Sequence, residues 1–167
     1  MNPVVGIIMG SDSDVEVMQE AAKALRQFGV PYEIGVYSAH RSPHRAQEYI
    51  RSARERGLKV IIAGAGASAH LAGVSAAETI LPVIGVPIGS SPLAGFDSLL
   101  SVVQMPPGVP VATVGVGSSG ATNAGILAVQ ILALADEQLA KKLVEYKARL
   151  EQSIAEKSEK VSKLDLS

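Results

Sequence analysis

A histidine and an arginine stand side by side in residues 38–43, which read Ser-Ala-His-Arg-Ser-Pro. His40 has the type of side chain most easily tuned to move protons near neutral pH. Arg41 can hold anionic oxygens through two parallel hydrogen bonds. The segment follows a β-rich run over residues 32–37, and Pro43 suits the first position of a helix. Because ligands of open α/β sheets bind where strands end, this pattern predicts an enzyme acting on a small anionic substrate.

A second polar cluster follows the first apolar run, where residues 10–14 read Gly-Ser-Asp-Ser-Asp. The hydroxyl groups of Ser11 and Ser13, with the free N–H groups of a helix start, suit a phosphate. Asp14 could accept hydrogen bonds from ribose hydroxyls. The same residue types are favoured as ordinary helix caps, so composition alone leaves both interpretations open. The segment is not a Walker loop, because no Gly-Lys-Ser/Thr follows.

A third cluster, residues 63–73, reads Ala-Gly-Ala-Gly-Ala-Ser-Ala-His-Leu-Ala-Gly. Small side chains let the backbone approach a ligand closely, although close helix–sheet packing would explain the glycines equally well. His70, directly after the loop, favours a ligand. His40 and His44 are four residues apart and suggest a metal site, but Pro43 at a helix start separates them and no nearby carboxylate completes a ligand set. We therefore expect no metal site and a solvent-facing His44.

The elements that position these clusters alternate between strands and helices. Strands are predicted over residues 4–9, 32–37, 59–63, 83–86 and 111–116. Helices are predicted over residues 15–28, 43–56, 98–104, 123–135 and 136–160, with a short one beginning near His70. Ser13 and Glu16 are predicted to form the capping box of the first helix, and Ser42 to cap the second. This alternation predicts a single-domain, three-layer αβα fold with a parallel, flavodoxin-like sheet and a long C-terminal helix.

Composition limits the functional classes. The 167 residues fit one domain, with a core over about residues 1–135 and an amphipathic helix after it. A net charge of −1 gives no electrostatic reason to expect nucleic acid or an anionic membrane as partner. The chain has no cysteine, no apolar run long enough to span a bilayer and no signal-peptide pattern at Met1. We expect a cytoplasmic protein.

The last third of the chain indicates self-association. Residues 123–135 are apolar or small nearly all round, broken only by Gln130, and such a helix must be buried on more than one side. The charged segment that follows carries apolar residues at helical spacing, namely Leu139, Leu143, Tyr146, Leu150 and Ile154. We therefore predict a homo-oligomer in which the charged tail helix lies across a neighbour.

The three clusters, in this order, resemble those of the class I N5-carboxyaminoimidazole ribonucleotide mutase family of purine biosynthesis. The family pattern reads Gly-Ser-x-Ser-Asp, then Ser-Ala-His-Arg-Thr-Pro, then Ala-Gly-Ala-Gly-Gly-Ala-Ala-His-Leu-Pro-Gly. Later motifs match at residues 82–87, 97–106 and 123–133. The resemblance covers about residues 4–135, and the fixed order of these motifs makes it highly specific.

This chain departs from the family pattern at several positions. Ser42 replaces threonine and retains a hydroxyl, and His44 stands where the family usually has aspartate. Ala67 and Ser68 replace Gly-Ala, and Ala72 replaces proline. Ala67 matters most, because a Cβ would be strained there if the position needs a positive φ angle. Substrate fit and rate, rather than the reaction class, depend on this difference.

The resemblance implies transfer of a carboxylate from an exocyclic nitrogen to carbon 4 of an aminoimidazole ribonucleotide, without metal, ATP or organic cofactor. It implies that His40 is the general acid/base and that His70 flanks the reacting carboxylate. The loop containing Gly66, Ala67 and Ser68 would form a tight, dry pocket that retains carbon dioxide between decarboxylation and recarboxylation.

The resemblance also implies the binding residues and the assembly. Arg41, Ser13 and Ser38 would hold the phosphate of the small-molecule substrate, while Ser11 and Asp14 would fix the ribose. Family members form octamers with active sites near subunit contacts, which implies a homo-octamer here.

Two other functions remain open at this point. One is a class II carboxylase that adds free carbon dioxide to the aminoimidazole. The other is a flavodoxin-like nucleotide- or flavin-binding module without catalysis, which the fold alone would permit. Two phenylalanines and no tryptophan leave little for stacking a flavin ring, and a binding module does not require the pair of His40 and Arg41.

Overall fold

A computed structural model describes residues 2–164 of the chain. The strands are β1 (Val5–Met9), β2 (Tyr32–Val36), β3 (Val60–Gly66), β4 (Val83–Ile88) and β5 (Ala112–Thr113). The helices are α1 (Val15–Phe28), α2 (Pro43–Ser52), α3 (Leu71–Glu78), α4 (Phe96–Val103), α5 (Ser118–Ala133) and α6 (Glu137–Ser162). Within residues 2–164, no helix combines the length and apolar character needed to cross a membrane.

The five strands form one parallel sheet in the order β2-β1-β3-β4-β5. This is the flavodoxin-like order, so the predicted fold class is confirmed. Met9 at the end of β1 lies opposite Val36 of β2 and Gly64 of β3, and Gly64 lies opposite Val86 of β4. The loops that follow these strands therefore leave the sheet at nearly the same level.

Helices cover both faces of the sheet. Successive strand residues point to opposite faces, so Ile7 belongs to the core beneath α1 and α5, whereas Ile8 belongs to the core beneath α2, α3 and α4. All residues of β1 and β4 are buried. Burial on both faces explains why these strands read as continuous apolar runs rather than as alternating ones.

The small residues of α5 allow a close approach to α1. A Cβ added at Gly125 would lie 2.7 Å from both the carbonyl oxygen of Ala21 and the Cβ of Ala24. Any larger residue would therefore push the two helices apart. Ile131 and Leu132 are half-buried and pack against the same core. Part of the burial predicted for residues 123–135 thus occurs within the chain, against α1, the sheet and α6.

The long helix α6 begins at Asp136, whose Oδ1 accepts hydrogen bonds from the N–H groups of Gln138 and Leu139 at 2.9 and 3.0 Å. Its first half is tied to the core, where the Tyr146 ring meets the Phe28 ring edge-on at 5.3 Å between centroids. Its second half is more open, and Ile154 is 63 % exposed. The second half of α6 is therefore the part that is predicted to lie across a neighbouring subunit.

Several predicted boundaries are wrong, among them the start of α5, which lies at Ser118 rather than at residue 123. β3 continues to Gly66, so the first glycines of the predicted loop lie in a strand that is paired on both sides at Gly64. Helix α2 ends at Ser52 rather than at residue 56. β5 comprises only Ala112–Thr113, since its ladder with β4 is two residues long. The two strand boundaries depend on pairing with distant strands, which local composition does not reveal.

Candidate active site

The loops after β1, β2 and β3 enclose a cavity of about 170 Å³. The predicted site residues that line it are Ser11, Ser13, Asp14, Ser38, His40, Arg41, Gly66, Ser68 and His70. Ala67 does not line it. Residues that sequence reasoning did not select also contribute to the lining, namely Gly10, Ala39, Ala65, Leu71 and Ser90. The sheet topology therefore brings the three motifs to one edge, as predicted.

The first loop is closed by a capping box between Ser11 and Asp14. The N–H of Ser11 donates to Oδ2 of Asp14 at 3.0 Å, and the N–H of Ser13 donates to Oγ of Ser11 at 3.4 Å. The predicted box between Ser13 and Glu16 is wrong, because a 3-10 turn over Asp12–Asp14 precedes α1 and moves the cap toward the N-terminus. The Asp14 carboxylate is thereby tied to the loop backbone.

Asp14 is almost completely buried, with 5 % of its surface exposed. Burial disfavours the charged carboxylate and raises the pKa of Asp14 above its ordinary value, although the Ser11 hydrogen bond and the Arg41 charge act in the opposite direction. A ligand hydroxyl that donates to this carboxylate would stabilise its charged form. The cavity thus contains a carboxylate acceptor whose charged form would be stabilised by a hydrogen bond from a polar ligand.

Arg41 connects the loop after β2 to the loop after β1. Its Nη2 donates to the carbonyl oxygen of Gly10 at 3.0 Å, and its backbone N–H donates to Oγ of Ser38 at 3.1 Å. No ion pair of Arg41 occurs among residues 2–164. The guanidinium is therefore positioned by a neutral carbonyl and keeps hydrogen-bond donors for an anion.

Ser42 occupies the N-cap position of α2, but its hydroxyl does not cap the helix. Its Oγ donates instead to the carbonyl oxygen of Ser38 and accepts from the Ser38 N–H, both at 3.3 Å. The prediction of a hydroxyl cap is therefore wrong. The hydroxyl closes the loop that carries His40 and Arg41, which explains why serine or threonine is suitable at this position.

The two predicted catalytic histidines contact each other directly. Nε2 of His40 lies 2.6 Å from Nδ1 of His70, and the rings are nearly perpendicular, with centroids 4.8 Å apart. His70 holds the N-cap position of α3. Since a neutral imidazole has one donor and one acceptor nitrogen, one ring donates and the other accepts. The pair therefore shares one proton across the cavity.

His44 lies away from this pair. It is exposed on α2 and lines a separate surface hollow with Glu48 and Arg51. Within residues 2–164, no group of three or more histidine, aspartate or glutamate side chains is arranged to hold a metal ion. The placement of His44 agrees with its predicted solvent exposure.

The third loop requires a glycine at one position and carries an alanine in a strained conformation at the next. A Cβ at Gly66 would lie 1.9 Å from Oγ of Ser90 and 3.1 Å from the carbonyl oxygen of Ile88. Ala67 has a φ of +51° and is exposed. The suspected strain at Ala67 is therefore real, but the residue lies outside the cavity lining.

Ser90 lines the cavity but was not predicted from the sequence, although its place after a strand could have identified it. It follows β4, whose end lies at the same sheet edge as those of β1, β2 and β3. The argument that located the other three loops applies equally to this fourth one. Ser90 was not predicted as a site residue, because residues 89–91, Gly-Ser-Ser, contain no histidine or charged side chain.

Comparison with known proteins decides the family. The model of the AIR carboxylase family matches residues 4–153. The chain belongs to this family. Its sequence is 58 % identical over 161 residues to the N5-carboxyaminoimidazole ribonucleotide mutase of Bacillus subtilis, covering 96 % of this chain and 99 % of that protein. It is 54 % identical to the protein of the same name from Thermotoga maritima, covering 97 % of this chain and 94 % of that protein.

The fold of the family agrees with these matches. The crystal structure of Treponema denticola PurE superposes with a TM-score of 0.85 at 30 % sequence identity, covering 95 % of this chain and 98 % of that one. The family resemblance predicted from the ordered motifs is thus confirmed. It extends beyond the predicted residues 4–135 into α6.

Proposed function

We propose that this chain is an N5-carboxyaminoimidazole ribonucleotide mutase, an isomerase of purine biosynthesis. It moves a carboxylate from the exocyclic nitrogen to carbon 4 of the aminoimidazole ring. The observation that carries this proposal is the cavity that combines His40, His70 and Arg41, in a chain whose near full-length relatives have that name. The reaction needs a proton-transfer group and an anchor for an anionic ribonucleotide, and this cavity contains both.

The anchoring end lies where the first two loops meet. Arg41, Ser13 and Ser38 hold the phosphate, because they combine a fixed cation with hydroxyl donors at the rim of one cavity. Ser11 and Asp14 hold the ribose. Anchoring the substrate at a distance from the reacting atoms supplies orientation for an imidazole ring that has few polar groups of its own.

The chemical end lies beside the histidine pair. The bond between nitrogen and the carboxylate carbon breaks, the nitrogen keeps the electron pair and receives a proton from His40, and carbon dioxide is retained. Carbon 4 then attacks the carbon dioxide and loses its ring proton to His40. Gly66, Ala67 and Ser68 belong to the loop that keeps this space small and dry, and His70 flanks the migrating carboxylate. The route uses no metal ion, ATP or organic cofactor.

The site is completed by self-association into a homo-octamer. The cavity of about 170 Å³ is smaller than the roughly 300–1,000 Å³ typical of ligand pockets, which supports a contribution from a neighbouring copy. Phe96, Leu100 and Val103 recur at helical spacing on α4 and are 64, 41 and 50 % exposed. Contiguous exposed apolar residues of this kind are typical of interfaces.

Phe96→Asp tests this assembly. The wild-type protein should sediment at several times the 17.3 kDa monomer mass, and the variant should sediment at a lower mass with an unchanged circular dichroism spectrum. The carboxylate would be unpaired in a desolvated contact, whereas it is acceptable at the first position of a helix. A fully active wild-type monomer would contradict the octamer.

The remaining parts of the proposal concern the whole chain. One catalytic domain spans residues 1–167 and acts in the cytoplasm on a small-molecule ribonucleotide, with neither nucleic acid nor membrane as partner. The two ends of this domain, Met1 and residues 165–167, lie outside the described residues.

The decisive experiment is an assay of the purified protein with two substrates. N5-carboxyaminoimidazole ribonucleotide should be converted to the 4-carboxylated product without added bicarbonate. The unsubstituted aminoimidazole ribonucleotide with bicarbonate serves as the comparison. Product formed only from the second mixture would identify a carboxylase that uses free carbon dioxide, and tight binding without product would identify a binding module.

A further inference from the structure

We propose that His40 and His70 act as one proton relay, in which a proton taken up at the outer nitrogen of one ring is released from the outer nitrogen of the other. The proposal rests on the proposed mutase function, because it assigns His70 a task in that reaction. The observation behind it is the short contact of 2.6 Å between Nε2 of His40 and Nδ1 of His70.

Each ring uses only its inner nitrogen in this contact. The outer nitrogens are Nδ1 of His40 and Nε2 of His70, and neither forms a hydrogen bond with any part of residues 2–164. Both side chains line the cavity and belong to exposed residues. The charged groups that share the cavity are Arg41 and Asp14. The outer nitrogens are therefore open to substrate and water.

The contact also limits how much charge the pair can carry. Two imidazolium rings in direct contact would repel each other strongly and would both present N–H groups to the same space. The pair therefore holds at most one extra proton. A proton that arrives at either ring can cross the shared hydrogen bond without any movement of the backbone.

Proton movements through the pair balance over the reaction. At the start, His70 donates its Nδ1 proton to Nε2 of His40, and His40 carries its own proton on Nδ1. As Nδ1 of His40 gives its proton to the substrate nitrogen, the Nδ1 proton of His70 moves to Nε2 of His40. Water supplies a proton to Nε2 of His70 and is left as hydroxide. Both rings are neutral at the end of this step.

The second step reverses these movements. Nδ1 of His40 accepts the proton from carbon 4, its Nε2 proton returns to Nδ1 of His70, and Nε2 of His70 returns a proton to the hydroxide. Over the two steps the substrate gains one N–H bond and loses its C4–H bond, every histidine N–H bond is restored, and no ring is oxidised or reduced. His70 is thus a positioning and relay residue that acts through His40, and the donor is restored after every turnover.

His70→Asn separates a relay from simple orientation. An asparagine amide can occupy about the position of Nδ1 and hold the His40 ring, but it has no second nitrogen in a conjugated ring to pass a proton onward. We expect kcat to fall by about 10²-fold, the lower end for general acid–base catalysis, with little change in KM. His44→Asn is the matched control and should retain wild-type kcat, because His44 lies outside the cavity.

Rates measured in mixtures of light and heavy water provide a second kinetic test. The wild-type rate should fall along a curve as the heavy-water fraction increases, because more than one proton moves, and the His70→Asn rate should fall linearly. Wild-type kcat in His70→Asn, together with a low kcat in His70→Leu, would show that His70 only orients the ring and would overturn the relay.

A measurement without substrate keeps the relay separate from the mutase proposal. In protein labelled with ¹⁵N-histidine, a shared proton should give a scalar coupling between Nε2 of His40 and Nδ1 of His70. The coupling should disappear in His70→Leu and persist in His44→Asn. An active enzyme without this coupling would overturn the relay and leave the mutase function intact. An inactive wild-type protein that shows the coupling would instead overturn the proposed function.

Discussion

Ala67→Gly should stabilise the protein, although alanine-to-glycine substitutions usually destabilise. Ala67 has a φ of +51°, and the left-handed region costs a residue with a Cβ roughly 1–2 kcal/mol. Glycine removes this cost, but it lowers the free energy of unfolding by roughly 0.5–1 kcal/mol because it gives the unfolded chain more conformational freedom. Because the alanine is exposed, little apolar burial is lost. The free energy of unfolding should therefore rise by about 0.5–1 kcal/mol.

Urea unfolding at a fixed protein concentration measures this change, since assembly makes stability depend on concentration. The midpoint should rise while the slope with urea remains unchanged. Ala94→Gly is a parallel variant, because Ala94 has a φ of +53°, and it should also stabilise. Ala135→Gly is the control, since Ala135 is exposed and lacks a positive φ. It should lower the free energy of unfolding.

If Ala67→Gly destabilises as much as Ala135→Gly does, the strain argument is wrong. The Michaelis constant gives an independent test of the same residue. Ala67 does not line the cavity, whereas its neighbours Gly66 and Ser68 do. KM should therefore change little in Ala67→Gly, and a large change would contradict the placement of this residue outside the site.

Three other substitutions test the proposed site. His40→Asn should fold and bind substrate but lose at least about 10²-fold in kcat, the low end for acid–base catalysis; near-normal turnover would remove His40 from the mechanism. Arg41→Lys should raise KM with little effect on urea unfolding, because lysine cannot copy bidentate phosphate binding; an unchanged KM would place the phosphate elsewhere. The raised pKa of Asp14 means that the folded state binds this proton more tightly than the unfolded chain does, so the free energy of unfolding falls as pH rises through that pKa. Asp14→Asn should remove this loss, which urea unfolding between about pH 4 and 7 would measure; an equally steep fall in the variant would exclude Asp14 as its source.

The sheet edge was predictable because its signals are local. Apolar runs ended by polar or small residues identified β1, β2 and the start of β3, and helical spacing identified α1 and α2. Parallel strands then place their carboxyl ends at one edge. The end of β3 was not predictable, because Gly64 is held in the strand by Met9 and Val86 on either side. Such pairings are set by the whole sheet.

The composition of the site was more predictable than its contacts. Residue types suited to phosphate and proton transfer pointed to Ser11, Arg41, His40 and His70, which all line the cavity. Burial of Asp14 and the hydrogen bond from Arg41 to Gly10 depend on how two loops meet, which no local pattern describes. The location of the candidate site could therefore be inferred before the interactions that hold its loops together.

The contact between His40 and His70 follows from the position of β1 in the sheet. The rings belong to loops after β2 and β3, which both pair with β1 and not with each other. Strands two positions apart are separated by roughly 10 Å, so the two side chains must reach across the loop after β1 to meet. Arg41 fixes one side of this span through Gly10, and the start of α3 fixes the other at His70. The position of β1 thereby also sets the distance across which the two histidine rings make contact.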